Sequence, residues 1–193
     1  MKITFKKPSL DTLETWTAKR KGEALSYQHP KATLEKEFPK GFDHDRNKCL
    51  LGKGDAIFEL AKEGIRNWII FPKAWIINHP TPLPLEVGQE VAVVFNMLGA
   101  WWFNSCRIQY LIEEPNRFGF AYGTLLSHVE KGEEVFWIEK RANGEIWYNI
   151  QAFSQPHYWW VKPFKPLVRA YQRKFVRESC RDMQAYVKKK ASS

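Results

Sequence analysis

The sequence is poor in cysteine: its 193 residues contain only three, and these stand far apart at Cys49, Cys106 and Cys180. An odd number of widely spaced cysteines predicts neither a disulfide framework nor a zinc site. No apolar run approaches the roughly 18–20 residues that a membrane-spanning helix needs. The stretch 1–16 lacks the apolar core of a secretory signal. We therefore expect a cytoplasmic protein without a transmembrane segment, and nothing in the sequence indicates a metal or a cofactor.

Aromatic residues are abundant, at 15% of the chain: nine Trp, seven Tyr and thirteen Phe. Hydrophobic residues make 44% and charged residues 26%, which are ordinary values for a globular protein and exclude disorder as the overall state. The aromatic content is enough for a large core and for an aromatic-lined cavity.

Positive charge is concentrated near the C-terminus. Residues 162–190 carry ten Lys or Arg and only two acids, whereas the net charge of the whole chain is +9. The rest of the chain is therefore almost neutral. A nucleic-acid-binding domain is more uniformly basic, so we expect no specific nucleic-acid partner.

Residues 1–42 show weak periodicity and contain three prolines, which predicts an irregular segment. The pattern then predicts a strand over 43–51 and a helix that is capped by Asp55 and stopped by Pro72. Alternating apolar residues predict six further strands, at 75–78, 90–97, 101–113, 118–124, 133–141 and 145–153. The last two flank an Asn-Gly pair, which is a strong hairpin signal.

A long helix is predicted over 167–190, with an apolar stripe along one face. Consecutive antiparallel strands with helices on one side make an α+β fold. We expect a curved antiparallel sheet of about six to seven strands wrapped round the long C-terminal helix, with a pocket wherever the two do not fill the space between them. The expected organisation is an N-terminal extension at 1–24, a single domain at 25–190 and a tail at 191–193.

Six segments carry a resemblance to a known family: LGKG at 51–54, NSCRIQY at 104–110, EPNRFGFAYGTL at 114–125, SHVEKGEE at 127–134, GEIWYNI at 144–150 and AFSQP at 152–156. They resemble an uncharacterised family of bacterial and plant proteins, the YndJ-like group of domains of unknown function. The resemblance extends from about residue 25 to residue 183. Asn149 is a departure, since an Asp is common there in the family.

The resemblance implies the START-like, helix-grip fold, which is shared with pollen-allergen-like ligand binders and polyketide cyclases. It also implies an apolar cavity between the sheet and the C-terminal helix. Lipid carriers, hormone receptors, cyclases and hydrolases all use this fold, so the resemblance leaves the function open.

Arg107 lies in the middle of a predicted strand, where it could hold a ligand carboxylate or phosphate through two hydrogen bonds. Strict alternation places it on one face with Ser105 and Gln109, and places Asn104, Cys106, Ile108 and Tyr110 on the other. The alternative is an outward-facing Arg in an ion pair, which we favour because an Arg is seldom buried without a partner.

His128 and Glu130 fall in a predicted connection between two strands. A His near a carboxylate is typical of a general base, and these are the candidate catalytic residues. A solvated polar turn is the simpler interpretation, because no nucleophile or metal ligand stands at a diagnostic spacing.

Tyr122 and Tyr148 are strand aromatics whose hydroxyls could orient a ligand. Together with Arg107 and Asn104 they are the candidate ligand-binding residues, although ordinary core packing is the more common role of such strand tyrosines. On the long helix, Arg173, Arg177 and Arg181 follow an i, i+4 spacing and form a candidate anion-binding surface. The alternative is a solvated helix face.

Three functions remain open at this point. The first is binding of a small hydrophobic or aromatic molecule in an apolar cavity. The second is an enzyme of the cyclase, hydrolase or isomerase type on the same scaffold. The third is a peripheral protein that docks weakly on an anionic membrane or nucleic acid through its basic helix.

Overall fold

A computed structural model describes residues 2–35, 37–80 and 84–192. Met1 and Ser193, which fall in the predicted extension and tail, lie outside the described residues. The described secondary-structure elements are, in chain order, β1 (Lys2–Thr4), α1 (Leu10–Ala18), a 3-10 turn (Ala32–Leu34), β2 (Asp43–Lys53), α2 (Asp55–Arg66), β3 (Ile76–His79), β4 (Glu90–Met97), β5 (Ala100–Glu114), β6 (Arg117–Thr124), β7 (Glu130–Lys140), β8 (Glu145–Pro156), a 3-10 helix (Trp159–Phe164) and α3 (Lys165–Ala191).

The strands form one antiparallel sheet in the order β2-β8-β7-β6-β5-β4-β3. The short strand β1 pairs with the first residues of β5, beyond the stretch that pairs with β6. All seven strands predicted from the sequence are present, and β1 is an eighth that the prediction missed. The Asn-Gly hairpin is confirmed: Gly144 has φ +80°, and the Arg141 N–H donates to the Glu145 carbonyl at 2.9 Å.

The prediction of an irregular N-terminus was wrong, since this part of the chain contains β1 and α1. Ser9 caps α1 by accepting a hydrogen bond from the Thr12 N–H at 3.3 Å. The indole N–H of Trp16 donates to Ser105 at 3.1 Å and anchors α1 on the outer face of the sheet. A nine-residue helix is too short for periodicity to reveal it when only Leu13 and Trp16 are buried.

Helix α2 differs from its prediction at both ends. Gly54, with φ +96°, occupies the N-cap, and Asp55 is the first helical residue. There the negative charge of the Asp55 carboxylate is stabilised by the positive end of the helix dipole. The helix ends at Arg66, six residues before Pro72. Apolar residues between them continue the core without helical geometry.

A bulge in β5 overturns the predicted facing of its later residues. The β5–β6 register shifts between Ile108 and Tyr110, so Gln109 is an extra residue in the ladder. Cys106 and Ile108 belong to the main core, as expected, but Tyr110 turns to the opposite face and packs with Ala121. One inserted residue reverses the alternation of every residue that follows.

Helix α3 closes the inner face of the sheet along only part of its length. Its buried residues are Ser179, Met183 and Val187, all in the C-terminal half. There the hydroxyl of Tyr148 from β8 lies 2.8 Å from that of Ser179. The N-terminal half of α3 contributes no fully buried residue, and it leaves open space above the sheet.

Candidate functional site

A pocket of about 610 Å³ lies between the inner face of the sheet and the N-terminal half of α3. Its wall is mostly apolar and rich in aromatic rings, among them Phe71, Trp75, Phe95, Trp160 and Phe175. The position follows from the packing described above, because the fully buried residues of α3 begin only at Ser179. Part of the high aromatic content of the sequence therefore lines this pocket.

Tyr122 and Glu134 form a polar pair on the pocket wall. They lie opposite each other on β6 and β7, and the Tyr122 hydroxyl donates to a carboxylate oxygen of Glu134 at 2.8 Å. Burial in these apolar surroundings raises the pKa of Glu134 to about 8, although the hydrogen bond from Tyr122 lowers it. At neutral pH most Glu134 side chains therefore carry a proton and can donate it in a hydrogen bond.

Glu130 is a second carboxyl group on the wall. It is the first residue of β7, so its predicted place in a connecting turn was wrong. Gln172 of α3 donates to it at 2.7 Å. Burial raises the pKa of Glu130 to about 7, against the opposing effects of Gln172 and Arg169. The burial outweighs these partners because the group is shielded from bulk water.

His128 precedes β7 and also lines the pocket. Its Nδ1 lies 2.9 Å from the backbone nitrogen of Glu130, so the ring is held by the start of the strand. Burial lowers the pKa of His128 to about 4. The ring is therefore uncharged at neutral pH, and it is not the solvated turn residue that its sequence context suggests.

Asp45 of β2 lines the pocket and pairs with Arg169 of α3. Both terminal nitrogens of Arg169 bond the two carboxylate oxygens of Asp45, one of them at 2.6 Å. The hydrogen bonds to Asp45 raise the pKa of Arg169. This two-point pair ties the N-terminal half of α3 to the edge of the sheet.

Three of the predicted ligand-binding residues lie away from the pocket wall. Arg107 is on the outer face, where it bonds Glu90 at 2.7 Å and the carbonyl of Glu23. Asn104 accepts a hydrogen bond from the backbone N–H of Val129 at 3.0 Å and so holds the loop before β7. Tyr148 is fully buried against α3. Each of the three has a structural partner in the fold.

Among the predicted site residues, Tyr122, His128, Glu130, Arg173 and Arg177 come together around the pocket. Arg173 and Arg177 are exposed, and both contribute to its wall. Arg181 does not; it pairs with Asp182 at 2.9 Å, one turn further along α3.

Sequence reasoning missed Glu134, Asp45 and Gln172. A signal for Glu134 was present, because it shares one face of β7 with the buried residues Phe136 and Ile138. An acid in an otherwise apolar row is a candidate buried polar group. Asp45 and Gln172 carried no such signal, since their role depends on how α3 lies across the sheet.

Across the part of the chain that the structure describes, no three His, Cys, Asp or Glu residues lie close enough together to hold a metal ion. None of the described helices combines the length and the apolar character needed to cross a membrane.

Comparison with known sequences finds relatives along most of the chain. The family model described as "Domain of unknown function (DUF1990)" matches residues 26–182. A UPF0548 protein from Dictyostelium discoideum is 32% identical over 200 residues, which cover 93% of each chain. The expectation of an uncharacterised family is confirmed.

Solved structures show the same fold at low sequence identity. A hypothetical protein from Helicobacter pylori matches 83% of this chain and 95% of its own length, with a TM-score of 0.57 and 14% identity. The di-domain ARO/CYC StfQ from the steffimycin biosynthetic pathway matches 79% of this chain and 52% of its own length, with a TM-score of 0.51 and 8% identity. The predicted helix-grip, START-like fold is confirmed, and identities this low speak for the fold alone.

Proposed function

This chain belongs to the family of the domain of unknown function DUF1990, and we propose that it binds a small hydrophobic or aromatic molecule in the pocket between its sheet and helix α3. The observation that supports this most directly is a mostly apolar pocket of about 610 Å³ with a protonatable pair, Tyr122 and Glu134, on its wall. Small-molecule sites typically have volumes of about 300–1,000 Å³ and combine apolar walls with a few polar groups.

The polar groups on the sheet side of the pocket favour an uncharged ligand end, whereas the cations Arg173 and Arg177 lie exposed on the α3 side. Glu134 holds its proton at neutral pH, because burial raises its pKa to about 8, and His128 is uncharged. A protonated carboxyl donates a hydrogen bond to a carbonyl or ether oxygen, and a ligand carboxylate would instead face Glu130 in a poorly hydrated space. We therefore expect an apolar or aromatic body that carries a neutral hydrogen-bond acceptor.

An enzyme on the same scaffold is the second candidate, and one observation favours it. Glu130 and Glu134 have pKa values of about 7 and about 8 and face the same pocket. A carboxyl group with a pKa near the working pH is suited to general acid or base catalysis, because it both holds and releases a proton there. In such an enzyme Glu134 delivers a proton to the bound molecule, and the hydroxyl of Tyr122 orients the Glu134 carboxyl group.

The binding proposal can be tested with N-phenyl-1-naphthylamine, an uncharged aromatic dye that fluoresces in apolar sites. We expect saturable binding to the full chain, and loss of binding in Ala152→Phe, which fills the pocket from β8. The matched control is Ala185→Phe on the exposed face of α3, which should bind as the wild type does. Equal binding by Ala152→Phe and wild type would overturn the proposal.

The natural ligand can be sought by native mass spectrometry of the protein purified from its own host, followed by denaturation and identification of what is released. The enzyme candidate is tested by incubating wild type and Glu134→Gln with a host metabolite extract. Metabolites that change only with the wild type would support catalysis. Unchanged extracts, together with dye binding, would leave binding as the function.

A further inference from the structure

Three large apolar side chains that line the pocket, or stand in a 3-10 helix that lines it, are exposed. Trp159 is 80% exposed, Leu98 73% and Phe164 56%. Leu98 and Phe164 also line the pocket, and Trp159 stands in the same 3-10 helix as Phe164. We call these three residues the mouth patch. Exposed apolar residues that are grouped in this way mark an interaction site more often than scattered ones do.

The fold holds the mouth patch in place. The ring of Tyr158 stacks on that of Trp160, with 5.7 Å between the centroids, and its hydroxyl donates to the carbonyl of Leu126 at 3.0 Å. In the turn between β4 and β5, the Leu98 N–H donates to the hydroxyl of Tyr171 on α3 at 3.2 Å. The apolar side chains are therefore presented by anchored backbone.

Three cations stand in the same 3-10 helix or line the same pocket as the mouth patch. Lys162 lies between Trp159 and Phe164 in the sequence, and Arg173 and Arg177 follow on the pocket side of α3. All three are exposed and form no ion pair with any residue that the structure describes. Two acids of β2 pair with other cations of α3: Asp45 with Arg169, and Asp43 with Lys165.

We propose that the mouth patch docks on the surface of an anionic lipid bilayer. Trp159 and Phe164 would enter the interfacial region, where aromatic side chains are favoured, and the cations would face the lipid headgroups. A protein partner fits less well, because the cores of protein interfaces are depleted in lysine, and Lys162 is exposed in the same 3-10 helix as Trp159 and Phe164. Docking here would let an apolar ligand pass between the bilayer and the pocket without crossing water. This transfer of ligand rests on the proposed function, whereas the docking itself does not.

The test is co-sedimentation of the full chain with vesicles of phosphatidylcholine alone and of phosphatidylcholine mixed with phosphatidylglycerol. Binding should be stronger to the anionic vesicles and should weaken with added salt. The double variant Trp159→Ser/Phe164→Ser should lower the partition coefficient about tenfold, because two apolar side chains lose their burial. The matched control, Leu10→Ser/Leu50→Ser, removes two exposed apolar residues elsewhere and should bind as the wild type does.

The charged part of the patch has its own pair of variants. Lys162→Gln/Arg173→Gln/Arg177→Gln should flatten the salt dependence, whereas Arg181→Gln, which changes an arginine paired with Asp182, should leave it unchanged. Equal loss in Arg181→Gln would mean that the whole basic helix attracts lipid and that the mouth patch does not direct it.

Two outcomes would overturn the proposal. One is the absence of binding to anionic vesicles at low salt. The other is a dimer in analytical ultracentrifugation that the Trp159→Ser/Phe164→Ser variant dissociates, which would assign the patch to a second copy of the chain. Binding of N-phenyl-1-naphthylamine without vesicles separates the two proposals. If the dye binds and the vesicles do not, the docking fails and the ligand pocket stands.

Discussion

The hydroxyl of Tyr122 donates to Glu134 at 2.8 Å across two neighbouring strands, and both side chains face the pocket. This hydrogen bond favours the ionised carboxylate, yet the pKa of Glu134 is raised to about 8. Burial therefore has the larger effect of the two. An acid that stays protonated beside a tyrosine hydroxyl gives the apolar wall one strong hydrogen-bond donor.

Tyr122→Phe should raise the pKa of Glu134 above its wild-type value. The variant keeps the ring and removes the hydroxyl whose hydrogen bond lowers that pKa. An NMR titration of carboxyl-labelled glutamate measures the change directly. Tyr148→Phe is the control. It also removes a tyrosine hydroxyl from this face of the sheet, but that hydroxyl bonds Ser179 and not Glu134. A fall in the pKa of Glu134 in Tyr122→Phe would contradict the assignment of this bond.

The stability of the protein should decrease as the pH rises from about 6.5 to about 9; below about 6.5 the lowered pKa of His128 acts in the opposite direction. The pKa of Glu134 has its ordinary value of 4.5 in the unfolded chain and is about 8 in the folded one. Between these values the folded state binds more protons, so the free energy of unfolding falls with increasing pH, by a few kcal/mol at most. Glu130, with a pKa of about 7, acts in the same direction.

Urea denaturation of wild type and Glu134→Gln at several pH values measures this effect. The variant should lose most of the decrease between about pH 7 and about pH 9, because its amide does not titrate. Glu133→Gln is not a suitable control, since Glu133 accepts several hydrogen bonds from the N-terminal segment. Glu113→Gln, on an exposed strand end, is suitable. Parallel curves for wild type and Glu134→Gln would count against a buried, protonated Glu134.

Tyr148→Phe should destabilise the fold by about 1–2 kcal/mol, because it leaves the fully buried Ser179 hydroxyl without its partner. Adding Ser179→Ala should cost little more, since the double variant removes both polar groups. A double-mutant cycle from denaturant unfolding measures the coupling. Neither change should affect dye binding, as both residues lie outside the pocket wall; additive costs would show that the two hydroxyls do not interact.

Gly123→Ala should destabilise the fold by about 2 kcal/mol or more. A Cβ atom built on Gly123 would lie 2.1 Å from the hydroxyl oxygen of Tyr27, which donates to the buried Glu133 at 2.6 Å. Gly41→Ala is the control: its Cβ would meet nothing within 4 Å, and only its φ of +85° carries a cost, about 1 kcal/mol. Thermal denaturation compares the two, and an equal loss would argue against close packing at Gly123.

The α+β order and the helix-grip fold could be predicted from the sequence because both rest on local patterns. Period-two alternation indicated seven strands, and Asn143-Gly144 indicated the hairpin between β7 and β8. The N-terminal helix α1 could not be predicted, because its stability depends on Trp16 reaching Ser105, which lies 89 residues away in the chain.

The candidate site could be predicted only in part, for a different reason. The aromatic row that brings Tyr122 to the pocket wall is visible in the sequence, whereas Arg107 forms the outward-facing ion pair that we favoured for it, with Glu90. His128 and Glu130 were found by residue type, but their surroundings were predicted wrongly. Whether a carboxyl group is solvated or protonated depends on the atoms around it, and distant segments supply most of those atoms.

The sequence by itself determined the periodicities, the turns and the concentration of positive charge in the C-terminal helix, since each of these depends on residues that are neighbours in the chain. Only the tertiary structure decided which faces turn inward after the bulge at Gln109, and where α3 packs closely at Ser179 and leaves a pocket before it. The physical reason is that strand facing follows local alternation only until the register shifts. The depth of a pocket follows from the packing of segments far apart in the chain.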